Sequence, residues 1–295
     1  MKLNQIKDNC TSIFQILRWN KPTGRLILLI PAGWSLWLAH DNQPSLNFII
    51  KIVLGGLLVS GFGCIANDIW DIEIDKKVLR TKNRPLAAKK LNKKIAFFIL
   101  ILLMTASLFL ILSLLENSNL LPLFLALLAS PFILIYPSTK RWFKFPQLVL
   151  SFCWGFAVLI PWAFIQGNLN SYVLWLCWLA TIFWTFAFDT IYALADKKYD
   201  LKLGINSSAI HLKSYTQITV QICYFMTAML LGSALLINNT NHLFWPVWII
   251  PSVLMQKDTI DIFRQEEYSI SEVSKHFRNQ VIYGSLFLGC IIISN

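Results

Sequence analysis

The chain has 295 residues, 56% of them hydrophobic and only 14% charged, with 26 lysines and arginines against 15 aspartates and glutamates. Soluble domains carry about 25% charged residues, so this composition excludes a water-soluble globular protein and predicts an all-α, polytopic helical membrane protein. The net charge of +11 is accounted for by basic loops on one membrane face, and no nucleic-acid partner is expected.

In chain order, a polar, mixed-charge stretch comes first and reads as neither a signal nor a transit peptide. Direct insertion into a bacterial-type plasma membrane is the simplest expectation. Apolar runs then predict helices near 25–39, 47–67, 95–115, 119–136, 146–166, 171–195, 217–237, 243–255 and 281–294, against the roughly 20 residues a crossing needs. The first and the last two are short. The expected fold is one integral-membrane domain over residues 1–295, a bundle of about nine spans. The scattered cysteines at 10, 64, 153, 177, 223 and 290 contain no Cys-x-x-Cys pair and read as small apolar residues.

With the N-terminus placed in the cytoplasm, every lysine and arginine except Lys51 falls in the N-terminal segment or in the connections after helices two, four, six and eight. Such an asymmetry fixes orientation. Two aspartate clusters lie on this same basic face, each at the end of an apolar run. Ionisable groups are costly at membrane depth and are functional by default there.

The first cluster is Asn67-Asp68-Ile69-Trp70-Asp71-Ile72-Glu73-Ile74-Asp75. If it continues the second helix, Asn67, Asp68, Asp71 and Asp75 form one polar stripe, since residues advance by 100°. Carboxylates so close repel and raise one another's pKa. A divalent cation relieves that conflict, and oxygen ligands without histidine or cysteine favour Mg²⁺, which completes its shell with water and substrate phosphates.

In the second cluster Asp196 and Asp200 stand four apart on one helical face, which assigns them to metal. Asp189 lies about 10 Å deeper on a regular helix and goes, with Tyr192, to an inner pocket for a second substrate. Arg80, Arg84, Lys140 and Arg141 follow the clusters or sit at helix ends. They suit a leaving diphosphate, whose growing negative charge cations stabilise.

At this point the chain resembles a known family. Asn67-Asp68-x-x-Asp71-x-x-x-Asp75 followed by Arg80-Thr81-Lys82-Asn83-Arg84-Pro85, and Asp189-Thr190-x-Tyr192-Ala193-x-x-Asp196-x-x-x-Asp200-x-x-x-Gly204, are similar to the two signatures of UbiA-type intramembrane prenyltransferases. Arg18-x-x-Lys21-Pro22, Tyr136-Pro137-x-x-Lys140-Arg141 and Phe277-Arg278-Asn279 extend the likeness along the chain. The Asp-Thr-x-Tyr-Ala form resembles the 4-hydroxybenzoate branch.

The resemblance implies a bundle around a cavity open sideways to lipid. It also implies Mg²⁺-dependent transfer of a polyprenyl group from polyprenyl diphosphate to the ring of 4-hydroxybenzoate, ortho to the phenol, in ubiquinone or plastoquinone biosynthesis. By matched position, Asn67, Asp71, Asp196 and Asp200 would ligate metal, with Asp68 and Asp75 in support. Arg80, Lys82, Arg84, Lys140, Arg141 and Lys202 would face diphosphate, and Asp189 and Tyr192 would lie beside the acceptor. Arg18 and Arg25 would be candidates for the acceptor's carboxylate. Asn206 stands where the family carries lysine, and Tyr199 where an aspartate is common. Another aromatic acceptor, homogentisate or a naphthoate, and a cation-coupled transporter are the alternatives.

Overall fold

The computed structural model describes residues 2–40, 43–115, 119–238, 245–265 and 268–294, with side chains from residue 9 onward. The described residues are helical throughout their ordered elements, with no strand. The helices are α1 (Lys2–Ile16), α2 (Thr23–Leu26), α3 (Leu29–Ala39), α4 (Leu46–Trp70), α5 (Ile72–Asp75), α6 (Lys93–Leu112), α7 (Leu121–Ile135), α8 (Pro146–Gln166), α9 (Tyr172–Leu194), α10 (Lys197–Leu203), α11 (Ser208–His211), α12 (Thr216–Ile237), α13 (Trp245–Phe263) and α14 (Ile270–Ser294), with 3-10 turns at Tyr136–Arg141 and Lys213–Tyr215.

Local chemistry sets the boundaries. Ser45 caps α4 by accepting from the Phe48 amide at 3.3 Å, and Asn92 caps α6 by accepting from the Lys94 amide at 2.8 Å, each satisfying one of the orphan donors of a helix start. Helix α8 begins on Pro146 and ends on Gly167 at φ 65°, the proline-in, glycine-out asymmetry of helix ends. Pro161 interrupts the α8 hydrogen-bond ladder, and Ser35 of α3 donates to the nearby Val158 carbonyl at 2.6 Å. Neighbouring helices commonly supply such donors in membranes.

Among the described residues, seven helical stretches are long and apolar enough to cross a bilayer, including Ile270–Ser294, and Thr23–Ala39 is a shorter apolar stretch. With α13 these make the nine positions expected from sequence. Helices α13 and α14 are longer than expected, running to Phe263 and beginning at Ile270 rather than stopping at 255 and starting at 281. The polar residues beyond the apolar runs face each other across the two helices. Asp258 of α13 accepts from Asn279 at 2.9 Å and lies 3.3 Å from the His276 ring of α14. The predicted start of the eighth helix at 243 and the loop Asn239–Asn241 lie outside the described residues, as do the side chains of Lys2 and Lys7.

Helix α9 is the central one. It packs on α8, α12, α14 and α3, while Phe97, Phe98, Leu102 and Phe109 of α6 and Phe124 and Leu127 of α7 point outward into the lipid zone. An aromatic ladder climbs the core face of α9. Trp34 meets Trp184 at 4.9 Å, Trp184 meets Phe188 at 5.2 Å, and Phe277 of α14 contacts both Phe188 (5.4 Å) and Tyr192 (5.1 Å). These edge and tilted contacts carry the rigid core up to the level of the second aspartate cluster.

The ladder requires α14 to approach closely at Gly284. A Cβ there would come within 2.8 Å of Trp184 and 3.0 Å of Ile30. Gly284→Ala is therefore expected to destabilise the bundle by about 1–3 kcal/mol, the usual cost of overpacking. Thermal unfolding in detergent measures this, and an unchanged midpoint would mean that α14 can slide aside.

Candidate active site

The first cluster does not continue one regular helix, as the sequence suggested. Helix α4 ends at Trp70, Asp71 leaves helical geometry at φ −97° and ψ 10°, and α5 restarts at once. Two backbone bonds bridge the break, Asp71 N–H to the Asn67 carbonyl at 2.9 Å and Asp75 N–H to the Asp71 carbonyl at 2.7 Å. The polar stripe Asn67, Asp68, Asp71, Asp75 thus survives with a bend in it. The second cluster is divided in the same way. Helix α9 stops at Leu194, and Asp196, at φ −102°, begins α10, which carries Asp200.

Asp68, Asp71 and Asp75 are 1%, 1% and 4% exposed. Burial on that scale demands partners, because an unpaired buried charge is very costly. Arg18 and Arg84 both pair with Asp68, the latter at 3.2 Å, and Arg84 also reaches Asp75 at 2.9 Å. Burial nevertheless raises the Asp75 carboxyl above the ordinary carboxylate range against the pull of Arg84. Arg18 holds its place with a left-handed backbone, φ 59°, a conformation disfavoured for a side chain of this kind.

Lys140, on the 3-10 turn after α7, donates to Asp71 at 2.6 Å and to Asn67 at 3.5 Å. Arg141 stands 3.6 Å from Asp71 and donates to the Trp70 carbonyl at 2.7 Å.

Arg80 joins the two clusters. It leaves the first signature, pairs through two nitrogens with Asp196, and donates to the Tyr192 hydroxyl at 2.9 Å, its guanidinium 4.8 Å from that ring. The carboxylates of Asp189 and Asp200 carry no hydrogen bond or ion pair among the described residues, and that of Asp200 feels the charges of Lys140 and Arg80. The Asp200 carboxyl is pushed up to about 7, first by burial and then by Asp196, with Asp71 adding to the effect and Lys140 and Arg80 opposing it. The pair of Arg80, from the first signature, with Asp196 of the second brings the two signatures to one site.

Three sequence candidates lie elsewhere. Arg25 is buried and turned inward, donating to the carbonyls of Leu17, at 2.9 Å, and Leu57 and lying 4.2 Å from the Trp19 ring. It fastens the N-terminal segment to α4. Lys82 and Lys202 are exposed and have no ion pair among the described residues.

Conversely, two residues quoted only as part of motifs reach the site. The Tyr136 hydroxyl donates to Asn67 at 3.3 Å, and Phe277 walls Tyr192. Asn206, standing in for a lysine, donates its backbone N–H to the Lys140 carbonyl at 2.8 Å and accepts from His211 Nε2 at 2.8 Å. A cleft of about 220 Å³ between α5 and α10 is lined by Glu73, Ile74, Lys77, Arg141 and the segment Leu203–Ile205.

No three Asp, Glu, His or Cys side chains among the described residues converge tightly enough to enclose an ion by themselves. The donor set still fits Mg²⁺. All the candidates are oxygens, and Mg²⁺ takes one or two carboxylates and fills the remaining positions with water and phosphate. One oxygen of Asp68 and one of Asp71 are buried without a hydrogen-bond partner.

The sequence profile of the UbiA prenyltransferase family matches residues 28–280. The 4-hydroxybenzoate solanesyltransferase of Synechocystis sp. is 43% identical over 79% of this chain and 78% of its own length. The 4-hydroxybenzoate octaprenyltransferase of Neisseria meningitidis serogroup B is 36% identical over 85% of this chain and 82% of its own length.

Two solved structures share the fold. A UbiA homolog from Aeropyrum pernix aligns with a TM-score of 0.77 at 20% identity, covering 91% of this chain and 97% of that one. A UbiA homolog from Archaeoglobus fulgidus, bound to GPP and Mg²⁺, aligns at 0.68 and 15% identity, covering 95% and 99%. Signatures, architecture and relatives agree: the chain is an integral membrane protein that belongs to the UbiA prenyltransferase family.

Proposed function

We propose that this protein transfers a polyprenyl group from polyprenyl diphosphate to the ring carbon of 4-hydroxybenzoate ortho to its hydroxyl, making a lipid-quinone precursor at the cytoplasmic face of a bacterial-type inner membrane. The carrying observation is the convergence of Arg80 and Lys140 between a buried and a half-buried aspartate cluster, with the Asp189 carboxylate unpaired on the α9 side. The identity of the relatives supports the acceptor.

In the reaction the allylic carbon–oxygen bond to diphosphate breaks, a carbon–carbon bond to the ring forms, and the ring proton passes to water or to the released diphosphate as its C–H electron pair restores the aromatic ring. Arg80, Arg84, Lys140 and Arg141 take up the negative charge that grows on the departing diphosphate, which is where preorganised cations lower a barrier most. Asp189 orients the phenol and holds its proton, while Tyr192, set by Arg80 and Phe277, packs against the ring.

Asn67, Asp71, Asp196 and Asp200 would hold Mg²⁺, with Asp68 and Asp75 fixing Arg18 and Arg84 behind them. When bound, Mg²⁺ supplies Lewis-acid neutralisation of the diphosphate oxygens. For Asp196 to serve as a ligand, its contact with Arg80 must loosen, which frees Arg80 for the phosphate.

Membranes containing the protein should incorporate labelled 4-hydroxybenzoate into a lipid extract only when Mg²⁺ and a polyprenyl diphosphate are both supplied, and chelation should abolish the signal. Unlabelled homogentisate or a dihydroxynaphthoate should not compete. Absence of incorporation by folded protein would sink the assignment, and transfer to a competitor alone would move it to another acceptor on the same fold.

A further inference from the structure

One short segment, Gly204–Ser208, touches both sides of the proposed site. It begins where Gly204, at φ 66°, turns the chain out of α10 and the Ile205 N–H returns to the Asp200 carbonyl at 2.9 Å, a glycine-closed helix end. Next, Asn206 N–H holds the Lys140 carbonyl at 2.8 Å. Then Ser208 N–H donates to Gln147 Oε1 of α8 at 2.8 Å, and its hydroxyl shares a 2.7 Å hydrogen bond with Thr190 of α9. Ser208 and Thr190 are both fully buried. Thr190 is the residue beside Asp189, and its side chain bonds to the segment rather than projecting into an open cavity.

We propose that this strap is a positioning device that fixes Asp189 relative to Lys140, with Thr190 and Ser208 as its positioning residues. The proposal rests on the function given above, since Asp189 is there the acceptor-side carboxylate. A reacting pair must be held within a fraction of an ångström, and side chains that do so are themselves locked by hydrogen bonds behind them. The strap meets that need with its anchors on Asp200, Lys140, α8 and α9. It also gives the threonine of the Asp-Thr signature a task, namely to tie the end of α9 to the turn that carries Lys140.

Thr190→Val keeps the volume and deletes the bond; Ser208→Ala deletes it from the other side and leaves the Gln147 contact intact. Each should lower kcat/KM for the aromatic acceptor on the order of 10- to 100-fold, the scale of a small misplacement of reacting groups. KM for polyprenyl diphosphate should stay within about twofold of wild type, because Lys140 and Arg80 keep their own contacts. The double variant should lose no more than either single one, as expected when both changes remove one interaction. Thr190→Ser should restore the wild-type constants.

Wild-type acceptor constants in Thr190→Val, additive losses, or equal losses for both substrates would overturn the proposal. A wild-type protein that prenylates no 4-hydroxybenzoate would refute the functional reading instead. The strap is then read from amide hydrogen exchange of residues 204–211, which should accelerate at least tenfold in Thr190→Val and not in Thr190→Ser. Unchanged exchange would overturn it.

Discussion

Asp71→Asn and Asp196→Asn are each expected to cut prenyl transfer by on the order of 10²–10³-fold, the scale of deleting one preorganised electrostatic contact. Both substitutions preserve volume and remove a single negative charge. In Asp71→Asn the change also releases Lys140 from its 2.6 Å contact, and in Asp196→Asn it releases Arg80 from its carboxylate partner. The rate should show a higher Mg²⁺ requirement in each variant, because a neutral amide is a poorer ligand for a hard cation than a carboxylate. Turnover against Mg²⁺ concentration, normalised to folded protein by gel filtration in detergent, measures the effect. Wild-type rates at limiting Mg²⁺ in either variant would remove these two residues from the metal.

Lys140→Met should produce the second large loss, about 10²-fold in kcat with saturating acceptor. Lys140 donates to Asp71 of the first cluster, and its carbonyl is held by the Asn206 N–H just beyond the second. Methionine matches its length and leaves Asp71 with Arg141 at 3.6 Å, so the fold is retained. Lys82→Ala is the contrasting variant. The family resemblance would place Lys82 on diphosphate, whereas the structure leaves it exposed, and its replacement should change kcat less than twofold. Steady-state kinetics of the two variants side by side checks both, and a Lys82 defect as large as that of Lys140 would mean that the loop closes over the substrate.

The spans were legible because a 20-residue apolar run between basic loops has few physical alternatives. What hydropathy missed at α13 and α14 was compensation: Asp258 with Asn279 and His276 is 21 and 18 residues removed in sequence, so neither helix advertises its partner. The aspartate stripes were also legible, since spacing alone puts Asn67, Asp71 and Asp75 on one face. The bends at Asp71 and Asp196 were not, because nothing in those residues stops a helix as proline or glycine would.

Least visible were the pairings of carboxylates with cations. Arg80 meets Asp196 across 116 positions and Arg18 meets Asp68 across 50, distances over which no periodicity speaks. For the same reason Arg25 looked available for an anion, although its neighbours in space are backbone carbonyls. Tyr136 and Phe277 were present as motif letters without a role, which only their contacts with Asn67 and Tyr192 supply.

The pairing of each buried aspartate in the first cluster with an arginine or lysine of this same chain bears on how the protein is made. A nascent chain entering the bilayer must bring these acids to the lipid boundary, and an isolated carboxylate there would resist transfer from water. Arg18, Arg84 and Lys140 neutralise Asp68, Asp75 and Asp71 from within, but Arg18 emerges from the ribosome well before them and Lys140 well after. Neutralisation of the first cluster is therefore a late event, completed when the fourth span delivers Lys140 to a half already formed by the first two.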